Sequence, residues 1–272
     1  MLYLVATPIG NLSDLSERAL KVLSDVDFIA AEDTRNTGSM LARFEISKPM
    51  ISYFEHNKRE RGEIIADRLE SGESCALVTD AGTPAISDPG EDIVRLCAER
   101  GIPVSSIPGC CAAVTALTLS GLPTSRFAFE GFLSTAKSER DERLTELQNE
   151  VRTMIFYEAP HKLKNTLADL YKYFGDRKIS LCRELTKINE EVCRTTISEA
   201  IKIYEEKDPR GEYVLVVGGA DKKKTQEEYP ADPVEHVKAL MDSGMKKMEA
   251  VKTAAKLRGE DKNDIYKLVL DL

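Results

Sequence analysis

The chain contains no tryptophan, only three histidines, and no apolar run approaching the roughly eighteen residues of a membrane-spanning helix. Its N-terminus runs straight into an apolar segment without a basic-then-apolar leader. The expectation is a soluble, cytoplasmic protein with no membrane partner. The six cysteines, Cys75, Cys97, Cys110, Cys111, Cys182 and Cys193, fall inside expected strands and helices and lack metal-ligand spacing, so reduced, mostly buried thiols and no metal are expected. The Cys110-Cys111 pair reads as small core filler beside a loop. Neither G-x-G-x-x-G nor G-x-x-x-x-G-K occurs, which leaves no dinucleotide fingerprint and no P-loop. Positive charge is in deficit too. A net charge of −8 argues against indiscriminate nucleic-acid binding while permitting a local basic surface.

With 272 residues, 42% of them hydrophobic, the chain has enough core-forming material for two domains and a small appendage. Its organising stretch is Leu77 to Gly90, where the apolar run Ala76-Leu77-Val78 stops at Asp80 and a loop of small residues leads to an expected helix from Glu91 to Ala98. Asp88 stands where an N-cap belongs, Pro89 at the first helical position, and Gly101 where the helix can end. Gly82 and its small neighbours leave backbone groups open at the carboxyl end of a strand, where open α/β sheets bind ligands. A tight turn without a ligand is the plainer alternative.

In chain order, Leu2 to Ala6 reads as a strand, followed by Thr7-Pro8-Ile9-Gly10-Asn11 and a helix from Asp14 to Leu23 with Asp14 and Glu17 as a capping box. A second strand, Val26 to Ala31, ends in Glu32-Asp33-Thr34-Arg35, which reads equally as a site or as a solvated, self-paired turn. Met50 to Phe54 is a third strand, Arg61 to Leu69 a helix, Val104 to Ile107 a strand, and Cys110 to Leu119 a helix rich in small residues. Strands alternating with helices over residues 1–120 imply an α/β domain with a largely parallel sheet.

Ser120 to Thr124 marks a boundary. Beyond it, residues 121–222 read as a second α/β domain with mixed strands at Phe127 to Leu133, Thr153 to Tyr157, Lys178 to Cys182, Val192 to Thr196 and within Arg210 to Gly219. His161, beside a proline turn, reads as structural or exposed. Lys222 to Asp232 is a polar linker, and residues from Pro233 onward form short helices with Gly244 and Gly259 at their junctions, like a helix-turn-helix bundle. The slightly basic balance of that bundle fits a solvated face as well as a nucleic-acid contact.

Several of these segments together carry a resemblance: Leu4 to Asn11, Ala31 to Arg35, Asp80 to Gly90, Ile107-Pro108-Gly109, Ser120 to Pro123, Phe129 to Leu133, Tyr157 to Lys162, Arg183 to Lys187 and Arg210-Gly211-Glu212. The chain resembles the tetrapyrrole-methylase superfamily and, within it, the ribosomal RNA small subunit methyltransferase I family. The resemblance implies a two-domain α/β fold with a cofactor cleft between domains 1–120 and 121–222, plus a helical extension over 223–272. It also implies a homodimer that uses S-adenosylmethionine to methylate the 2′-oxygen of a cytidine in the decoding region of 16S ribosomal RNA, on a small ribosomal subunit. Cofactor contacts are expected from Ile9, Gly10, Asp80, Gly82, Thr83, Pro84, Ile86, Pro108, Cys110, Cys111, Ala112 and Ala113, with Phe132 and Tyr157 closing the opposite wall. Glu32 and Asp33 are the base candidates, Arg35 a phosphate grip, and Glu158 and Glu184 the alternative bases. Asp33→Asn is then expected to lower turnover and spare cofactor binding. A relative acting on a small molecule or a protein side chain, and a non-catalytic cofactor-sensing regulator, are the competing readings.

Overall fold

The computed structural model describes residues 1–221 and 230–270. The chain divides into two compact units, Met1–Asp221 and Lys222–Leu272.

The first unit begins with alternating strands and helices: β1 (Leu2–Val5), α1 (Glu17–Asp25), β2 (Phe28–Ala31), α2 (Thr34–Ala42), β3 (Met50–Ser52), α3 (Lys58–Glu70), β4 (Cys75–Val78), α4 (Glu91–Glu99), β5 (Val104–Ile107) and α5 (Ala112–Ser120). The five strands form one sheet in the order β3-β2-β4-β1-β5, parallel throughout. Every residue of β2 and β4 is buried, as expected of central parallel strands whose two faces are both covered by helices. Each strand therefore delivers its following loop to the same edge.

Three helix starts and one helix cap differ from the sequence expectation; α3 begins at Lys58, ahead of Arg61, and α5 at Ala112, after Cys110. Helix α1 begins three residues later, capped by Ser16, whose Oγ accepts from the Ala19 amide at 3.1 Å; Asp14 instead closes a short 3-10 turn, Leu12–Asp14, started by Asn11. Helix α4 starts beneath Gly90 with no side-chain cap, so Asp88 is not its N-cap. Helix α2 has no counterpart in the sequence reading, because Asn36, Gly38 and Ser39 dilute its helical signal.

The same unit continues with β6 (Phe127–Phe132), α6 (Lys137–Glu146), β7 (Thr153–Glu158), α7 (Leu163–Phe174), β8 (Lys178–Arg183), β9 (Glu191–Thr196), α8 (Ile197–Glu206) and β10 (Tyr213–Val217). These strands form a second sheet, β6-β7-β10-β8-β9, in which β6 and β7 are parallel and the other neighbours antiparallel. One face packs on Leu144, Leu163, Leu167, Leu170, Ile197 and Tyr204 of the helices. The other face is covered by α5, whose Ala113, Ala116 and Leu117 cluster with Ile155, Cys182, Val214 and Val216. Helix α5 thus leaves the first sheet by chain connectivity and joins the second by packing. Its small residues let the backbone come close enough to do so.

In the second unit, α9 (Pro233–Asp242), α10 (Lys247–Arg258) and α11 (Lys262–Leu268) bury Val237, Ala250, Val251, Ala254, Ile265 and Val269 together. Asp232 and Asp261 cap α9 and α11, and Gly259 ends α10 with a left-handed φ of 68°. Arg258 ties the last turn of α10 back to the Pro230 and Ala231 carbonyls. Most of the expected linker, residues 222–229, lies outside the described residues. Among the described residues no helix is long and apolar enough to cross a membrane.

Candidate active site

A cleft of about 540 Å³ lies between the two sheets of the first unit. The parallel sheet contributes residues that follow its strands: Ile9 after β1, Glu32 after β2, Asp80 to Thr83 and Ile86 to Asp88 after β4, and Cys111 and Ala112 at the start of α5. From the second sheet come Phe132 at the end of β6, Tyr157 to His161 at the end of β7, Cys182 and Leu185 at the end of β8, and Glu212 to Val214 at the start of β10. Because β10 runs antiparallel to β7 and β8, pairing Tyr213 with both Glu158 and Arg183, its first residues reach the same edge as their last.

The walls are stitched together by backbone. Thr7 and Gly82 exchange amide-to-carbonyl bonds of 2.8 and 3.0 Å, and Thr7 Oγ1 donates to the Thr79 carbonyl. Gly82 adopts φ 87°, which an L side chain resists. Thr83 Oγ1 donates to the Cys110 carbonyl at 2.8 Å, locking the β4 loop to the start of α5. Across the cleft, a β-bulge between Phe129 and Gly131 brings Gly131, at φ 62°, against the loop; a methyl there would sit 3.0 Å from Ser87 Oγ. Ala85 and Ser87 themselves hold positive φ, uncommon outside glycine.

Nine of the expected cofactor contacts line the cleft, Ile9, Asp80, Gly82, Thr83, Ile86, Cys111, Ala112, Phe132 and Tyr157, and with them the base candidate Glu32. The others sit beside it. Gly10 packs against Lys187, Pro84 is buried in the loop, Pro108 is exposed, Cys110 supplies the carbonyl that holds Thr83, and the Ala113 amide is spent on Tyr157. Asp33 is the N-cap of α2 and forms a two-point pair with Arg35, at 3.1 and 2.7 Å, on the exposed side. Of the alternative bases, Glu158 lines the cleft but accepts from the Thr166 hydroxyl and the Ala159 amide, while Glu184 accepts from the Glu212 amide and from Lys187. Ser87, Asp88, Pro160, His161, Cys182, Leu185 and Glu212 were not singled out as contacts from the sequence.

The charge in the cleft is one-sided. Glu32, Asp80, Asp88, Glu158 and Glu212 line it, with His161 as the one basic side chain among the lining residues. Burial, and then the nearby charge of Asp80 and Asp33, raises the affinity of Glu32 for its proton. Burial raises Asp88 further, to about 7, reinforced by Glu32 and Asp80. Asp33 moves the other way, to about 2, through its hydrogen bonds with Arg35. Tyr157 is pushed up to about 12, chiefly by burial.

A family model described as Tetrapyrrole (Corrin/Porphyrin) Methylases matches residues 1–201. The chain is 45% identical to a ribosomal RNA small subunit methyltransferase I of Synechocystis over all of this chain and 98% of that one, and 47% identical to its namesake in Halalkalibacterium halodurans over 98% and 93%. The chain belongs to the ribosomal RNA small subunit methyltransferase I family. At 18% identity, the uroporphyrin-III C-methyltransferase of Thermus thermophilus, solved with S-adenosyl homocysteine, matches the fold with a TM-score of 0.57 over 80% of this chain and 96% of that one. The tetrapyrrole-methylase family model stops at residue 201. The match to the family's methyltransferases continues through α9 to α11.

Proposed function

We propose that the cleft binds S-adenosylmethionine and that the protein methylates the 2′-oxygen of a cytidine in the decoding region of 16S ribosomal RNA, on a small ribosomal subunit. The observation that carries this reading is the full-length similarity to rRNA methyltransferases, which extends past the residues shared with tetrapyrrole methylases. The cleft suits the cofactor chemically. Ile9, Ile86, Ala112 and Phe132 give an apolar wall for a flat ring, and the Gly82 to Thr83 backbone brings polar groups close. The carboxylates of Glu32 and Asp80 match positive charge. When bound, S-adenosylmethionine supplies an electrophilic methyl on a sulfonium sulfur.

The protein's part is then positional and electrostatic. The strand-end loops fix one reactant, and the second sheet closes over it, so that the acceptor oxygen lines up with the methyl. A ribose hydroxyl attacks poorly until its proton is taken, and a carboxylate in a dry, acidic cleft is suited to that task. Of the Glu32, Asp33 and Arg35 group, only Glu32 reaches the cleft, so Asp33 and Arg35 act at the rim, where Arg35 meets a phosphate. The acidic interior disfavours phosphates, so a single nucleoside enters while its backbone stays outside. We read the protein as a cytoplasmic homodimer.

The test is incubation with methyl-labelled S-adenosylmethionine and small subunits from cells lacking the enzyme, beside free uroporphyrinogen. Label in 16S RNA alone is expected. Label in the tetrapyrrole, or in neither, contradicts the proposal.

A further inference from the structure

The geometry points to Asp88 as the group that takes the proton from the methylated hydroxyl, with Glu32 and Asp80 beside it on the same wall holding positive charge. This assignment rests on the rRNA methyltransferase reading and deepens it. Three carboxylates stand on the parallel-sheet wall of the cleft, and they are not equivalent. Asp80 accepts from the Asn36 side-chain amide at 2.8 Å, and Glu32 accepts from the Asp80 backbone amide at 3.4 Å. Asp88 lines the same cleft and takes no hydrogen bond or ion pair among the described residues.

The loop is built to present Asp88 this way. From sequence it should cap α4, yet α4 starts under Gly90 without a side-chain cap. Ala85 and Ser87 hold positive φ instead, a conformation that persists only where the surroundings enforce it. Here they do. A methyl on Gly90 would come within 2.9 Å of the Ala85 nitrogen, and Gly131 abuts Ser87 from the other sheet. The loop is thus held against both walls, and the Asp88 carboxylate is left in the cleft.

The titratable groups that share the cleft with Asp88 are Glu32, Asp80 and Cys111 on the first wall and Tyr157, Glu158, His161, Cys182, Glu212 and Tyr213 on the second. On the helix that follows, Asp92 is paired with Lys58 and Arg95, and Glu91 with Arg95, so no cation there serves Asp88. Burial and two neighbouring carboxylates accordingly hold its proton to about 7. A base whose proton affinity lies near the working pH combines availability with driving force. In the step, the acceptor oxygen forms its bond to the methyl carbon while the carbon–sulfur bond breaks with its electron pair to sulfur, and the hydroxyl proton passes to an Asp88 carboxylate oxygen and later to water.

The experiment is single-turnover methylation of small subunits across pH at saturating S-adenosylmethionine, for the wild type, Asp88→Asn, Asp88→Glu and Glu32→Gln, with cofactor Kd measured for each. The wild-type rate should rise with pH and level off, with a midpoint at or below about 7 once a cation is bound. Asp88→Asn should lose roughly 100-fold in rate and lose the acid limb, with cofactor Kd changed less than about threefold. Asp88→Glu should recover part of the rate with a displaced limb, and Glu32→Gln should weaken cofactor binding and keep the limb. A rate for Asp88→Asn within about threefold of wild type, a surviving acid limb, or a loss confined to cofactor Kd would overturn the assignment. Should Asp88→Asn fail to fold, Asp88→Glu decides, and an unshifted limb there overturns it equally. A wild type that methylates no RNA contradicts the underlying reading instead.

Discussion

The backbone amide of Ala113, in the first turn of α5, donates to the hydroxyl oxygen of Tyr157 on β7 at 3.1 Å. One of the helix's four orphan N–H groups is thereby satisfied by the opposite wall of the cleft. The Tyr157 ring also stands edge-on to Phe129 and Phe132, with centroids 5.1 and 5.5 Å away.

Tyr157→Phe keeps the ring and removes the acceptor. Leaving a mostly buried N–H unpaired costs about 1–3 kcal/mol, so denaturant unfolding should report a loss near the lower end of that range. Titration calorimetry should show cofactor affinity reduced severalfold, since Cys111 and Ala112 at the same helix start line the cleft.

Gly131→Ala forces a side chain onto φ 62° and pushes on Ser87. Gly101→Ala meets φ 66° with nothing within 4 Å. Both should lose on the order of 1 kcal/mol of stability from backbone strain. Only Gly131→Ala should weaken cofactor binding, a contrast that calorimetry on the two variants reads directly.

Asp88 also has a signature in stability. Its proton is held to about 7 in the folded protein against 3.8 ordinarily, so between those values the folded state binds more protons than the unfolded one. Cofactor-free protein should therefore lose stability as pH rises from about 4 to 7, and Asp88→Asn should flatten that decline and be the more stable of the two at pH 8. Thermal melts across pH in the absence of cofactor provide the measurement.

Much of this architecture was legible in the residues. Continuous apolar runs such as Cys75-Ala76-Leu77-Val78 announce central parallel strands, and the small-residue loop after them announces a ligand edge. What stayed hidden depended on tertiary neighbours. The loop that carries Asp88 meets Gly131, 43 positions further along, at its neighbour Ser87, and no local pattern distinguishes a capping aspartate from one in a loop held by distant contacts. Glu212 and Val214 reach the cleft only because β10 is antiparallel, a fact of strand order that periodicity does not carry. His161 reads as structural because a lone histidine beside a proline turn carries no local sign of the cleft it lines.

The position of Asp33 revises the expectation attached to it. As the N-cap of α2, with its carboxylate on Arg35 and outside the cleft lining, it supports the helix that carries Asn36, and Asn36 holds Asp80. Asp33→Asn retains a capping oxygen and should retain turnover. Asp33→Ala should destabilise the fold and weaken cofactor binding through Asp80. Because Asp33 is depressed to about 2, its contribution is present above about 4 and lost as pH falls toward 2, which acid unfolding of wild type against Asp33→Asn resolves.

The central claim is methyl transfer to a ribose oxygen of 16S RNA, and nucleoside mass spectrometry of labelled small subunits tests it most directly. Label is expected in 2′-O-methylcytidine, from one cytidine in the decoding region. Label on a base, or none in RNA while the cofactor binds, would contradict it.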